Sequence, residues 1–324
     1  MRRIAGYLVL ALGVACLVAA PLLRFWVYPQ VAKFPLNQET FDSAAGPGYY
    51  FSPTELKVIG PVQLTVNRQT KGIAHLGSSS VAVWDTFQQI DGPDGKPIPQ
   101  GAVVEHIPLD RRTGAAVHCC DEQPAHHGAH TLVMPFDSKR TIDGKPATYR
   151  YWDAIPARPF DVTYVRTLKD PVSGLTVQEY RGAIKPFKYD SLELPASVIG
   201  TGTGTTMVPV DRWYENTDYT IDVEPRTGVI LNGHSSPHMW FQSSDGAHKL
   251  DALKISLSVT RPSVQDLAKL ARDGRNGLTL VGLVLPIVAL VLGIGLLLLW
   301  WFLLRDRAQS DTARGVGTPS PQPV

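Results

Sequence analysis

A run of histidines and cysteines between positions 118 and 130 contains the residue types best suited to chemistry in this chain. Cysteine, histidine and carboxylate are the ligands that zinc takes in proteins. Adjacent cysteines can hardly chelate one ion together, and no Cys-x-x-Cys or His-x-x-x-His pair lies on a predicted helix. The imidazoles are therefore weak metal candidates, and the sequence predicts no cofactor. The four histidines in question are His118, His126, His127 and His130.

The adjacent thiols of Cys119 and Cys120 have a second possible use. In an oxidising compartment they can join in a disulfide between neighbouring residues, which would lock a tight turn; this is our prediction. Reduced thiols on a surface loop and metal binding are the alternatives. Three cysteines in the whole chain, with Cys16 in an apolar segment, do not make a disulfide scaffold.

Familiar catalytic and phosphate-binding motifs do not occur in the sequence. The glycine–threonine run at 198–206 lacks the Lys-Ser/Thr ending of a phosphate-binding loop, so it predicts a flexible loop. There is no G-x-S-x-G nucleophile elbow. Acidic residues such as Asp153, Asp161 and Asp211 are scattered along the chain. These observations favour a non-catalytic protein, with an enzyme of nonstandard site as the alternative.

The elements that must position these residues are predicted to be strands. Apolar and polar residues alternate in short segments from about residue 55 onward, for example at Val62, Leu64 and Val66. Turn sequences such as Asp143-Gly144 and Asn232-Gly233 separate the segments. The fold class is therefore mainly β, an antiparallel β-sandwich or barrel-like domain.

One pattern occurs twice in this β region. Asp110–Gly114 reads Asp-Arg-Arg-Thr-Gly and Glu224–Gly228 reads Glu-Pro-Arg-Thr-Gly, each between apolar segments. We interpret both as hairpin turns with glycine at a positive φ; a duplicated subdomain is the alternative.

Four tryptophans are the candidate binding residues of this domain. An apolar groove between sheets would suit an acyl or polyprenyl chain, because such sites are mostly apolar with few polar groups. Packing in the core is the alternative for each side chain. The four are Trp84, Trp152, Trp213 and Trp240.

Two apolar segments frame the β region. Leu278–Leu304 contains no charged residue, and at about 1.5 Å per helical residue it exceeds a hydrocarbon core of about 30 Å. Ile4–Leu23 follows Arg2 and Arg3, and Pro21 disfavours cleavage after Ala20, so we predict an uncleaved signal anchor. The predicted organisation is a signal-anchor helix at 1–24, a β domain at 25–262, a short juxtamembrane helix and linker at 263–277, a spanning helix at 278–304 and a disordered tail at 305–324.

Two spans place both termini on the same side of the membrane. The count of basic residues near the spans does not decide which side, but long domains translocate largely regardless of charge. Arg2 and Arg3 ahead of a signal anchor favour a cytoplasmic N-terminus. We therefore expect a two-pass protein of the cell membrane, with cytoplasmic termini and an extracytoplasmic β domain.

Several short motifs occur in order along the whole chain. They are Val27-Tyr28-Pro29, Asp110–Gly114 followed by Cys119-Cys120, Met134-Pro135-Phe136-Asp137, Tyr151-Trp152-Asp153, Tyr214-Glu215-Asn216 and 223–230. Taken together, these motifs resemble the porin PorA family, an actinobacterial envelope family also described as a domain of unknown function. The resemblance implies a double-anchored envelope protein, and some members are linked to maturation of lipomannan and lipoarabinomannan. It implies no catalytic residues.

We therefore predict a non-catalytic, membrane-anchored envelope protein that supports lipoglycan or cell-wall assembly. Its expected partners are the lipid bilayer and either a lipid-linked glycan or lipoglycan biosynthesis proteins. A net charge of +2 gives no reason to expect nucleic acid. An envelope glycan enzyme and an oligomeric channel are the alternatives; a spanning β-barrel would need many lipid-facing strands in a closed sheet.

Overall fold

A computed structural model describes residues 2–98 and 101–314. They fall into two compact units, one of Met1–Lys33 with Gly274–Val324 and the other of Phe34–Asp273. The helices are α1 (Arg2–Leu22), α2 (Tyr28–Val31), α3 (Ala196–Ile199), α4 (Arg261–Thr279) and α5 (Leu285–Arg314). The strands are β1 (Glu39–Ser52), β2 (Lys57–Gly72), β3 (Val81–Asp91), β4 (Val103–Asp110), β5 (Thr141–Ile142), β6 (Lys145–Pro146), β7 (Thr148–Asp153), β8 (Arg158–Lys169), β9 (Thr176–Pro195), β10 (Met207–Val223), β11 (Ile230–Ser243), β12 (Lys249–Ile255) and β13 (Leu257–Val259).

The helical unit contains the two predicted spans. Ala5–Val31 and Arg261–Phe302 are helical stretches long and apolar enough to cross a membrane, as judged by length and composition. Within this unit the helices approach closely at glycines: a Cβ on Gly293 would lie 2.8 Å from Leu17 and 3.0 Å from the carbonyl oxygen of Gly13. Small residues that let helix backbones approach are typical of pairing between spanning helices.

The boundaries of the helices differ from the expected ones. The first helical stretch continues past residue 24 through a π-helical turn, Leu23–Val27, and ends with α2. At the other end α4 runs unbroken through Gly274 and Gly277, where we expected a linker. Helix α5 extends to Arg314, so the first half of the expected disordered tail is helical; residues 315–324 lie outside the described part.

The juxtamembrane helix begins at Arg261, two residues before the expected start at Ser263. Ser263 lies inside the first turn of α4, is buried, and its hydroxyl accepts a 2.8 Å hydrogen bond from the backbone N–H of Ser43. The hydroxyl of Thr260 donates to Ser263 Oγ at 3.0 Å. Ser263 therefore ties the start of α4 to strand β1.

The second unit is built on one antiparallel sheet. Its strand order is β4-β3-β2-β1-β12-β11-β10-β9-β8-β7, with β13 pairing to β1 and β11, and β5 and β6 form a separate hairpin. This confirms the mainly β prediction. Most sequence-predicted strands are present, including Val62-Leu64-Val66 in β2.

The two edges of this sheet are linked by the irregular segment 115–130. On one side Val117 N–H donates to Pro108 O of β4 at 2.9 Å, and Gln123 exchanges two backbone bonds with His106. On the other side His130 N–H donates to Arg150 O, and Trp152 N–H of β7 donates to His130 O, both at 2.9 Å. This segment, which contains the vicinal cysteines, therefore completes a barrel-like wall.

Three turns of the sheet have the same construction. They are the repeated pair, Asp110–Gly114 and Glu224–Gly228, and Asp170–Gly174, whose sequence Asp-Pro-Val-Ser-Gly also predicts a turn. In each, the first carboxylate accepts from the backbone N–H of the fourth residue, at 2.7, 2.9 and 2.6 Å respectively. Each glycine has a positive φ, at 74°, 74° and 70°. The hairpin-turn interpretation is confirmed.

The predicted turn at Asn232-Gly233 is wrong, because both residues lie inside strand β11. A Cβ on Gly233 would stand 2.6 Å from the carbonyl oxygen of Thr220 on the paired strand. Asn232 Nδ2 donates to Asp170 Oδ1 at 3.3 Å. Here glycine permits the close approach of two strands rather than a reversal of the chain.

The largest hydrophobic cluster fills one end of the barrel-like unit. It uses the end of β1, the start of β2, the start of β10 and the end of β11, with residues such as Phe51, Leu64, Val210, Phe241 and Leu253. Smaller clusters around Tyr180 and around Trp84 occupy the opposite ends of the strands. Between these clusters the interior is hollow, and charged side chains lie there among apolar ones.

Candidate functional site

The middle of the barrel-like unit contains a partly open cavity of about 170 Å³. Its wall is formed by alternate residues of neighbouring strands, such as Asp42 and Ala44 of β1 and Val66 and Arg68 of β2. This arrangement follows from the two-residue period of a strand, which sends every second side chain inward. The remaining lining residues come from β3, β4, β7, β10, β11, β13 and the segments 131–132 and 154–155.

A bidentate ion pair lies on one wall of the cavity. Arg68 donates from Nε to Asp42 Oδ1 at 3.2 Å and from Nη2 to Asp42 Oδ2 at 3.0 Å. The two side chains are 31% and 13% exposed. The charge of Asp42 raises the pKa of Arg68 above its usual value. The pair therefore supplies a fixed guanidinium whose charge is already balanced.

Asp153 stands at the end of β7 and is almost completely buried. Tyr214 donates its hydroxyl proton to Oδ2, and the backbone N–H of Ile155 donates to Oδ1 at 3.1 Å. Burial raises the pKa of Asp153 to about 6, because the charged form loses its hydration, although these hydrogen bonds favour the carboxylate. Asp153 can therefore exchange a proton near neutral pH.

Glu105 of β4 is the third carboxylate among the described residues of the cavity wall, and it is 4% exposed. Trp152 donates from Nε1 to Oε1 at 2.7 Å, and Thr86 donates to Oε2 at 3.5 Å. His126 Nε2 lies 3.4 Å from Oε1 but makes no hydrogen bond there. Glu105 is thus held by hydrogen bonds from Trp152 and Thr86.

A chain of alternating imidazoles and carboxylates leads from Glu105 to the surface. His126 is fully buried, and its Nδ1 lies 3.2 Å from Glu122 Oε1. Glu122 Oε2 in turn lies 3.1 Å from Nδ1 of His118, whose side chain is 95% exposed. Burial opposes ionisation of Glu122, but hydrogen bonds from the His126 backbone and from both histidines hold its pKa below the usual value.

The vicinal cysteines lie in the same loop as this chain. The structure joins Cys119 and Cys120 as a disulfide, and Cys120 and Asp121 both have positive φ. The carbonyl of Cys120 accepts from His106 Nε2 at 2.9 Å, and the carbonyl of Cys119 accepts from the N–H of Glu122 at 3.1 Å. The pair therefore shapes the backbone that presents Glu122 to His126.

The four candidate histidines do not meet at one point. His118 is exposed, His126 is buried against Trp152 at a ring distance of 4.7 Å, and His127 is exposed at a positive φ. His130 packs edge-on against Tyr149, and burial lowers its pKa to about 4. In the part of the chain that the structure describes, no three His, Cys, Asp or Glu residues form a group that could hold a metal.

Of the four candidate tryptophans, the structure places Trp152 on the cavity wall. Trp84 packs in the cluster with Phe34 and donates to the carbonyl of Pro35 at 3.0 Å. Trp213 and Trp240 form a cross-strand pair whose rings stack 5.9 Å apart. The other three tryptophans are not among the cavity-lining residues.

Asp42, Arg68 and Glu105 were not among the predicted site residues. A signal was present: Arg68 continues the inward phase of Leu64 and Val66, so the alternation placed a charge on the buried face of β2. A charged residue in that phase is unusual in a core and points to a polar interior. The sequence does not show which strands lie beside one another, so it could not predict that these charged residues share one cavity.

The arrangement offers carboxylate and amide oxygens as acceptors, tyrosine and tryptophan rings as faces, and a balanced guanidinium. Acceptors with remaining lone pairs beside aromatic faces suit a group that carries hydroxyls on an apolar ring. Asp153, whose pKa burial raises to about 6, also adds a group capable of proton transfer to this cavity.

A family model described as Porin PorA matches residues 5–302, and the chain therefore belongs to that family. No curated protein matches the chain significantly.

Proposed function

We propose that this PorA-family protein is a membrane-anchored binding protein of the cell envelope, which supports lipoglycan or cell-wall assembly without catalysing a reaction. Its barrel-like unit binds the sugar head of a lipid-linked glycan. The helical stretches keep that unit at the bilayer where such glycolipids are made and used. Partners that synthesise lipoglycans are the expected recipients of the bound molecule.

The observation that carries this proposal is the hollow middle of the barrel-like unit, where charged side chains lie among apolar and aromatic ones on one wall. A domain built for anchoring alone would gain more stability from an apolar interior, because buried ion pairs are at best weakly stabilising. The cavity wall carries Asp42, Arg68, Glu105 and Asp153 instead. Charged groups set among apolar and aromatic side chains favour a sugar head, which has both hydroxyl edges and C–H faces, over the acyl or polyprenyl chain that a purely apolar groove would bind.

The proposed topology is a two-pass protein of the cell membrane. Two helical stretches have the length and composition of spans, and a membrane-protein family fits that location. Arg2 and Arg3 before the first apolar stretch favour a cytoplasmic N-terminus. Both termini are then cytoplasmic and residues 34–273 lie outside, in an actinobacterial envelope.

Mass spectrometry of the intact full chain tests this proposal. The chain is purified in mild detergent from a host that makes lipoglycans, together with Ala154→Leu, which adds bulk at the cavity wall, and Ala247→Leu at an exposed position. We expect a glycolipid adduct on the wild type and on Ala247→Leu, and its loss from Ala154→Leu. A bare wild-type chain, or an adduct retained by Ala154→Leu, contradicts the proposal.

A second candidate, an envelope glycan enzyme with a nonstandard site, is favoured by one observation. Asp153, with its pKa raised to about 6 by burial, shares the cavity with Glu105, and a pair of carboxyl groups is what most glycoside hydrolases use. Release of free sugar from a lipid-linked glycan by the full chain, abolished by both Asp153→Asn and Glu105→Gln, would establish it. Intact glycolipid after prolonged incubation would exclude it.

A further inference from the structure

We infer that the cavity takes a single neutral, hydroxyl-bearing ring and rejects anionic groups, so that the phosphate of a lipid-linked glycan remains outside. This inference rests on the proposed function, which it narrows to a ligand class. Three properties of the cavity support it: its charge, its hydrogen-bonding capacity and its size.

The charge of the wall opposes an anion. Among the described residues that line the cavity, Asp42, Glu105 and Asp153 carry carboxylates, and Arg68 is the one guanidinium or ammonium side chain. Arg68 is committed to Asp42 through two hydrogen bonds of 3.2 and 3.0 Å. His234 also lies on the wall, and its two ring nitrogens are within 3.3 Å of Ser258 Oγ and 3.0 Å of Ser236 Oγ, so they are already engaged. A phosphate or carboxylate in the cavity would therefore lose its hydration and face two further carboxylates, while the guanidinium is already paired.

The same carboxylates do not call for a cationic ligand, because each already has donors. Asp42 has Arg68, Glu105 has the indole N–H of Trp152 at 2.7 Å, and Asp153 has the hydroxyl of Tyr214. Each carboxylate accepts at up to about four lone-pair sites, so these donors leave acceptor capacity unused. Hydroxyl groups can use that capacity without adding charge.

Aromatic side chains complete the complementarity to a ring. Tyr151, Trp152 and Tyr219 line the cavity together with the carboxylates. Tyr151 gives its hydroxyl proton to Thr131 O at 2.7 Å, which leaves its ring as the feature that a ligand can contact. A sugar ring has C–H faces and hydroxyl edges, and such a wall offers contacts to both.

The size of the cavity limits the ligand to one ring. Its volume of about 170 Å³ is below the roughly 300 Å³ at which pockets for drug-sized ligands begin. An acyl chain or an oligosaccharide would exceed it. The remainder of a lipid-linked glycan therefore lies outside the cavity, and its anionic linkage is kept away from Glu105 and Asp153.

Three soluble probes of different charge test the inference on the full chain in detergent. They are methyl glucoside, glucose 6-phosphate and choline, and ligand-observed NMR titration gives the dissociation constant of each. We expect saturable binding of methyl glucoside, with glucose 6-phosphate at least tenfold weaker and choline no tighter than methyl glucoside. Glu105→Gln should reduce the discrimination against phosphate several-fold, whereas Glu193→Gln, an exposed carboxylate away from the cavity, should leave it unchanged.

Each outcome decides the question. Binding of glucose 6-phosphate as tight as methyl glucoside, tighter binding of choline, no saturable binding of methyl glucoside, or equal effects of Glu105→Gln and Glu193→Gln would overturn the inference. The proposed function fails separately, through the absence of a glycolipid adduct on the purified chain. A wild-type adduct together with inverted charge preference would keep the function and discard the ligand class.

Discussion

Two regions of one barrel-like interior are built by the same rule and filled with opposite chemistry. At one end, alternate residues of the strands form an apolar cluster that includes Leu64 and Leu253, both fully buried. A few positions further along the strands, the inward-pointing residues include Arg68, Asp42 and Glu105, which surround a cavity. The period of the strands decides only that a side chain points inward; its type decides whether the interior is solid or hollow.

The comparison also separates stability from function. Burial of apolar surface contributes about 25 cal/mol per Å², so the apolar cluster stabilises the fold directly. The polar wall compensates buried charge with hydrogen bonds and yields little net stability. We therefore expect substitutions in the cluster to weaken folding without altering ligand preference, and substitutions in the wall to alter preference at lower cost in stability.

The largest expected effect comes from Leu253→Ala in the apolar cluster. Removal of a fully buried side chain loses transfer free energy and leaves a void, which should lower the free energy of unfolding by about 3–4 kcal/mol. Chemical denaturation of the full chain in detergent, followed by near-ultraviolet circular dichroism, measures it. Leu76→Ala, at a position that is 45% exposed, is the control and should change little. If folded Leu253→Ala bound methyl glucoside and glucose 6-phosphate with a different ratio of affinities from the wild type, the apolar cluster would affect ligand preference and the comparison would be wrong.

Asp153→Asn should change how stability depends on pH. Because burial raises the folded-state pKa of Asp153 to about 6 from an ordinary value of 3.8, the folded state holds this proton more tightly than the unfolded chain. The stability from this group is complete below about pH 4 and is lost as the pH rises through about 6, an effect of about 2–3 kcal/mol.

Denaturation of wild type and Asp153→Asn at pH values from 4 to 7 measures that effect. The difference between the two chains isolates Asp153, because Asp222, whose pKa burial also raises to about 6, is present in both. The free energy of unfolding of Asp153→Asn, relative to that of the wild type, should increase as the pH rises. If the free energies of unfolding of the two chains change with pH in parallel, the pKa of Asp153 is not raised in the folded protein.

Arg68→Ala should cost about 2 kcal/mol of unfolding free energy, because it leaves the carboxylate of Asp42 without its partner. The cost is below that of a fully buried pair because the Arg68 side chain is 31% exposed. Arg212→Ala is the matched control, because Arg212 is similarly exposed but its partner Asp190 is 53% exposed, against 13% for Asp42. Water can solvate the Asp190 carboxylate when its partner is removed, so this variant should cost less than about 1 kcal/mol. Equal decreases in the free energy of unfolding for the two variants would show that the ion pair on the cavity wall is no more important for stability than one at the surface.

The smallest effect on stability is expected from Trp152→Phe, which keeps a ring in the wall but deletes the 2.7 Å hydrogen bond to Glu105. A hydrogen bond to a charged group contributes about 1.5 kcal/mol or somewhat more. Trp213→Phe is a close control, because the Nε1 atom of Trp213 is buried without a hydrogen-bond partner. Thermal unfolding should separate the two variants, and methyl glucoside binding should weaken in Trp152→Phe alone.

Much of the fold was predictable because it rests on local patterns. Alternation identified the strand at Val62–Val66, and the Asp-x-x-Thr-Gly and Glu-x-x-Thr-Gly sequences identified two turns. The Asp-Pro-Val-Ser-Gly sequence at Asp170–Gly174 also predicts a turn, but the likeness to the other two was not recognised, because serine stands where they have threonine. Local patterns misled where glycine served another purpose, as at Gly233 within β11 and Gly274 within α4.

The candidate site was predictable only in part. Trp152 belonged to the predicted set of tryptophans, and Cys119 and Cys120 lie in the loop that holds His126 against the wall. Asp42, Arg68 and Glu105 were not identified, because they come from three separate strands. Their meeting depends on the register of β1 with β2 and on the order of the sheet, which are properties of long-range pairing.

By itself, the amino-acid sequence determined the two apolar stretches, the mainly β character of the region between them and the turns at Asp110–Gly114 and Glu224–Gly228. These features depend on interactions between residues a few positions apart, which a sequence displays directly. Only the tertiary structure decided that segment 115–130 joins the edges of the sheet, and that an ion pair and two further carboxylates share one cavity. Those contacts join residues far apart in the chain, and strand pairing rather than local preference selects them.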